Sequence, residues 1–214
     1  MIMPAMKSLK LHWMRKLSRE YRLWSPSKGV IQTEGLTFDK EAHKYYFRGT
    51  ELSGITGAIG KKLKKNFPEG IVEEHRGQGN HVHDAIETWI KLGVVKSVHP
   101  SVTWAIETLR ARRSSNMSHL FSEVVVSDFK KYASCVDILE YFGENSCDIY
   151  DTKAGAFSRP YVSLQLGVYK YFLETFMGMW VRDCYCLATK DKEVYPIFPA
   201  ERSKVISLLK TGGK

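Results

Sequence analysis

The stretch "CDIYDTKAG", residues 147–155, places an acid and an amine two residues apart in a β-rich run. Successive side chains of a strand point to opposite faces, so Asp151 and Lys153 share a face while Thr152 faces away, its carbonyl lying between them. Upstream, "SCVDILE" carries Asp137 on another β-rich run. A short hairpin joining the two runs would set Asp137 beside Asp151. Two adjacent carboxylates repel, at a cost relieved only by a proton or a cation between them. A hard divalent cation such as Mg2+ takes carboxylate, carbonyl and water oxygens. It would grip a phosphate and acidify a bound water. Lys153 would orient that water or stabilise charge developing on the phosphate. The plain alternative is a surface ion pair. A second D-x-K, Asp128 to Lys130 in "DFK", falls in a polar turn and reads as a solvated loop.

These residues need strands and helices to position them, and the hydrophobic pattern supplies both. "GLTFDKEAHKYYFRGTEL" reads as a β-hairpin. "SGITGAIGKKLKKNF" reads as a short helix or loop with a basic end. From Pro68 to Leu92 the apolar residues Ala85, Ile86, Trp89 and Ile90 recur at helical spacing, and Gly93 is a stop signal. A second helix is expected over Ser101–Arg113. "HLFSEVVVSD", "YASCVDILEYF" and "SCDIYDTKAG" then read as three consecutive strands, antiparallel because their connections are short. After Pro160, "YVSLQLGVYKYFLETFMG" reads as an amphipathic helix with Leu164, Val168, Tyr171 and Phe172 toward the core. Two more strands, "MWVRDCYCLAT" and "EVYPIFPA", and a short helix, "AERSKVISLLK", complete the chain. The expected fold class is α/β, a mixed central sheet flanked by helices.

Composition narrows the partners. Hydrophobic residues make up 43% of the 214 and aromatics 12%, a globular balance. No apolar run approaches the roughly 20 residues that span a bilayer, and no secretory signal is visible. Net charge is +9, which favours a polyanion. Lys7, Lys10, Arg15, Lys16, Arg19, Arg22 and Lys28 make residues 1–28 a basic arm ahead of one domain over 29–214, with its core at about 70–198. Lys61, Lys62, Lys64 and Lys65 form a second basic run, suited to phosphate contact. An Arg-rich, acid-poor start also fits a transit peptide. The cysteines Cys135, Cys147, Cys184 and Cys186 form no C-x-x-C pair. They read as reduced, buried thiols of a reducing compartment.

Together, "VDIL", "IYDTKAG" and "LQLGVYKYFL" resemble the core of the PD-(D/E)XK nucleases, in particular their RecB-like exonuclease branch, which includes phage exonucleases, Cas4-type nucleases and the mitochondrial genome maintenance exonuclease. "GNHVHDAIE" supplies the upstream helical His of that pattern, His83, and "QLGVY" its Gln-x-x-x-Tyr helix, Gln165 and Tyr169. The resemblance covers residues 70–175 and departs at Ser134, where the family has Gly. It implies a restriction-endonuclease-like core and Mg2+ or Mn2+ held by His83, Asp137, Asp151 and the Thr152 carbonyl. It makes Lys153 the catalytic lysine and places Gln165 and Tyr169 on the DNA strand. Linear DNA, double- or single-stranded, would be the substrate. A recombination or replication protein would be a fitting partner. The setting would be the cytoplasm of a bacterium or phage-infected cell, with the mitochondrion as the lesser choice.

Three residues stay open. Glu123, in "FSEVVV", either joins the acidic cleft or faces solvent at a sheet margin. His81 and Glu87 read as polar surface on the helix of His83. Two rivals remain. A binding protein that keeps the fold without catalysis would have no need of clustered acids facing DNA. A basic membrane-surface protein anchored by residues 1–28 leaves the acidic strand pair unexplained.

Overall fold

A computed structural model describes residues 33–63, 69–113 and 118–211, with backbone alone over 69–80. The basic arm, Lys64 and Lys65 lie outside the described residues. Thirteen elements follow in order: β1 (Leu36–Asp39), β2 (Lys44–Phe47), β3 (Thr50–Gly54), α1 (Ile55–Lys62), α2 (Glu69–Leu92), α3 (Pro100–Arg112), β4 (His119–Ser127), β5 (Tyr132–Gly143), β6 (Ser146–Lys153), α4 (Arg159–Phe176), β7 (Trp180–Ala188), β8 (Glu193–Pro196) and α5 (Arg202–Thr211). The fold is α/β: an eight-stranded mixed sheet flanked by helices.

Local sequence chemistry explains the helix ends. Gly93 closes α2 at φ +70, a left-handed conformation that costs glycine nothing. Pro100 opens α3, and the His99 ring accepts the Ser101 N–H as its cap. The "DFK" segment is a turn: Asp128 Oδ1 accepts the backbone N–H groups of Lys130, Lys131 and Tyr132.

The sheet divides two hydrophobic layers. On one face Ile55 and Ile59 of α1, Leu166, Val168 and Phe172 of α4 and Val205 and Leu208 of α5 pack with Val136, Leu139 and Ile149. On the other, Ala85, Ile86 and Trp89 of α2 and Val102, Ile106 and Leu109 of α3 pack with Ile138, Tyr150 and Leu187. Each such fully buried aliphatic side chain stabilises the fold by roughly 1.5–3 kcal/mol. Tyr171, expected toward the core, is only partly buried, and Tyr169 is buried instead. Cys147, Cys184 and Cys186 are buried, and all four thiols are free.

The path β1-β2-β3-β5-β6-β7-β8 is antiparallel except at β3/β5 and β6/β7, and β4 pairs with β5. Strand β4 lines one edge of β5 from Ala133 to Tyr141. The opposite edge is shared. There β3 pairs only at Tyr132 and Ala133, and β6 begins pairing at Ile138, opposite Tyr150. Between these two ladders, residues 134–137 have no strand partner on that edge. The sheet opens at this point.

Helix α4 is pinned across the sheet by a close approach. A Cβ at Gly167 would stand 2.9 Å from the backbone N and O of Ala200, and Ala200 N–H donates to the Ser163 carbonyl at 2.8 Å. Backbone cannot yield as a side-chain tip does. Gly167→Ala is therefore expected to cost about 1–3 kcal/mol despite alanine's better helix propensity. A denaturant midpoint equal to wild type would refute the close packing.

Candidate active site

The opening in β5 gathers the acidic residues. The β5/β6 register sets Asp137 across from Asp151, one rung beyond the last pair, Ile138 and Tyr150. Where the strands splay, the Thr152 N–H loses its ladder partner, and Asp137 Oδ2 takes it at 2.6 Å. A carboxylate that accepts a backbone N–H is fixed in direction as well as in charge.

Helices from both layers meet here because the sheet does not separate them. From α2, His83 places Nε2 3.0 Å from the Thr152 carbonyl oxygen and Nδ1 3.6 Å from Asp137 Oδ2. From α4, Gln165 Nε2 donates to the Tyr169 hydroxyl at 2.6 Å. Both residues line a cleft of about 380 Å³ together with His83, Glu123 and Asp137. The rest of the wall includes Phe38, Lys40 and Tyr45 of the β1–β2 hairpin.

Glu123 faces this cleft, not solvent. Its φ is +55, which costs a side-chain-bearing residue roughly 1–2 kcal/mol. The β4/β5 ladder runs through Ser122–Ile138 and Val124–Val136, and the rung between them, Glu123 with Asp137, is missing. Phe121 and Val124 both pack into the α4-side core, so side-chain alternation slips by one at Glu123. Strain of this kind persists only where the surroundings over-determine it. Here it turns a carboxylate toward Asp137 and His83: ligand atoms of the three residues lie within 4.8 Å of one another. Burial and the nearby Asp137 charge push the Glu123 carboxyl above its usual range, and the Cys135 thiol donates to its Oε2 at 3.3 Å.

Asp151 is fully buried. Lys153 Nζ stands 2.7 Å from its Oδ2 as an ion pair, and its Oδ1 has no hydrogen-bond partner. Burial raises the Asp151 carboxyl to about 6, with the Lys153 charge pulling the other way. Burial also works against the Lys153 charge, but Asp151 and Asp137 outweigh it and hold the amine above the usual lysine range. Lys153 is therefore an ammonium at neutral pH, a donor and not a base.

The expected residues His83, Asp137, Asp151, Thr152, Lys153, Gln165 and Tyr169 lie in one region, and Glu123, left open by the sequence, joins them. Tyr169 is almost wholly buried, and its hydroxyl accepts from Gln165 Nε2. His81 is elsewhere, near Ser97. Glu87 is ion-paired with Lys40 and Lys91. Lys61 and Lys62 are exposed at the end of α1, and Lys62 donates to Ser207. Neither lysine lines the cleft. The hairpin wall and Cys135 were not foreseen. The only local signal for Cys135 was its place two residues before Asp137.

The donor set fits a small divalent cation. It offers carboxylates, a carbonyl and one imidazole, which suits Mg2+ or Mn2+. The unpartnered Oδ1 of the buried Asp151 carboxylate is what such an ion would satisfy. The sequence matches no protein-family model and no curated protein. Among the described residues no helix is long and apolar enough to cross a membrane.

Proposed function

We propose that the cleft is the active site of a metal-dependent DNA nuclease of the PD-(D/E)XK type, acting as an exonuclease on linear DNA. The observation that carries this reading is the splay of β5 from β6. It sets Asp137 on the Thr152 N–H and His83 on the Thr152 carbonyl, with the buried Asp151 and Lys153 ion pair beside them on β6.

His83, Asp137, Asp151 and the Thr152 carbonyl would hold Mg2+ or Mn2+, with Glu123 beside them as a further acidic ligand. When bound, the ion supplies an acidified water and a Lewis acid for the phosphoryl oxygens. The chain's own groups do the rest. Lys153, kept charged by Asp151, donates to the phosphate as negative charge builds there. The Asp137 carboxylate fixes the Thr152 peptide, and so the direction of its carbonyl. The Gln165 amide is held by Tyr169, and its unpartnered carbonyl oxygen remains to receive a donor from the nucleic acid. Glu123, whose carboxyl is pushed above its usual range by burial and the Asp137 charge, holds its proton more tightly than a free carboxylate. The net charge of +9 offsets the acidic cleft and supplies a binding term that falls steeply with salt.

The test is end-labelled linear duplex and single-stranded DNA, with covalently closed circles as control, in Mg2+, Mn2+ or EDTA. Linear DNA is expected to be degraded only with metal, and the released label gives the polarity. Cutting of closed circles would make the enzyme an endonuclease. Tight binding without cleavage in either metal would leave a binding protein on a nuclease-like fold.

A further inference from the structure

We infer that a second cavity, next to the cleft, is a nucleoside-binding pocket that holds the terminal nucleoside of the strand whose phosphodiester lies in the cleft. Its role as an end subsite rests on the nuclease reading, while its ligand chemistry stands alone. The cavity holds about 420 Å³ between β1, β4 and α2. That lies within the roughly 300–1,000 Å³ of small-molecule sites. It shares Phe38, Lys40 and Glu123 with the cleft, so one ligand can reach from one to the other past Glu123.

Two observations identify the ligand. First, Thr33 and Ser122 line the cavity, are 2% and 9% exposed, and have hydroxyls with no hydrogen-bond partner. Buried hydroxyls are normally paired, and an unpaired one is costly. Two in one cavity mark where a ligand's polar edge belongs. Second, the rest of the wall is apolar or already neutralised. Leu36, Phe38 and Val125 contribute hydrocarbon and an aromatic ring, and Phe38 is itself stacked on Tyr45 at 4.6 Å. The two ammonium groups in the wall, Lys40 and Lys91, each lie 2.6 Å from Glu87, and Lys40 also lies 2.8 Å from Asp84, so two carboxylates balance them. With those charges paired and Glu123 at the mouth, the cavity is poorly suited to a terminal phosphate. A flat, uncharged ring with polar edges suits it: a base against the apolar wall, its polar edge or sugar on Thr33 and Ser122.

The full chain in EDTA, free of any metal step, is titrated by ligand-observed NMR with deoxyadenosine, thymidine and inorganic phosphate. The nucleosides are expected to bind and phosphate is not. The paired change Thr33→Val and Ser122→Ala, which keeps shape, is expected to weaken nucleosides by about tenfold, two hydrogen bonds' worth. Val125→Trp, which fills the cavity, should abolish binding, and if that variant misfolds the paired hydroxyl change still decides. Nucleosides that fail to bind, or that bind the hydroxyl variant as well as wild type, overturn the pocket. DNA degradation without nucleoside binding does so too, and leaves the nuclease standing. Nucleoside binding lost in the variant, with no DNA degradation, supports the pocket and removes the nuclease reading instead.

Discussion

Lys153→Met is expected to lose about 10²–10³-fold in DNA hydrolysis and, at pH 8, about 3–5 kcal/mol of stability. The stability loss arises because Asp151 is fully buried and Lys153 is ion-paired with it at 2.7 Å. Without the ammonium, the carboxylate is left charged in a dry site, or must take a proton. Its pH dependence has a defined sign. In the wild type the Asp151 carboxyl is already raised from 3.8 to about 6, and the substitution raises it further. Through that window the folded state holds a proton that the unfolded chain has released, so stability is greatest on the acid side and falls as pH rises through the folded pKa. Urea midpoints of variant and wild type should therefore converge as pH is lowered to 5 and diverge toward pH 8. Adding Asp151→Asn to the Lys153→Met chain should restore most of the stability at pH 8 without restoring activity. A stability gap that ignores pH would sink the buried-pair account.

The second large effect belongs to Asp137. Its Oδ2 accepts the Thr152 N–H at 2.6 Å and faces His83 and Glu123. Asp137→Asn keeps an acceptor for that N–H but removes the charge a divalent ion needs. Mn2+ affinity, read by electron paramagnetic resonance of the free ion, is expected to fall at least about 10–100-fold. Cleavage should fall with it. Thr152→Ala makes the control, because Thr152 would contribute only its carbonyl; its Mn2+ affinity should stay close to wild type. An Asn variant that binds Mn2+ as tightly as wild type would remove Asp137 from the site. A Thr152→Ala chain that loses the ion as severely would put the side chain, not the carbonyl, among the ligands.

The parts of this protein that depend on neighbours in sequence were legible before any coordinates. Helices α2 to α4 announced themselves by apolar residues at helical spacing, and β4 to β6 by short β-rich runs between turns. Strand alternation placed Asp151 and Lys153 on one face. The brevity of the β5–β6 connection suggested Asp137 beside Asp151, and the observed register puts that rung one step beyond the last pair, Ile138 and Tyr150, after a shift between Tyr141 and Gly143. Helical spacing said only that His81 and His83 point in different directions; the resemblance singled out His83, and it is His83 that lies beside the Thr152 carbonyl.

What the chain does over long separations could be decided only by packing. Nothing near Ser53 and Gly54 signals that they pair with Tyr132 and Ala133, yet that contact leaves residues 134–137 open and brings the hairpin over the site. The lysine run was read by charge alone, and the fold carries Lys61 and Lys62 to the far end of α1, away from the cleft. The fate of Glu123 turned on a left-handed backbone that no strand pattern predicts. Alternation and spacing are local properties, written in adjacent residues. The opening in the sheet, the strain at Glu123 and the burial of Asp151 are properties of the whole packed chain, because each exists only once distant segments exclude water together.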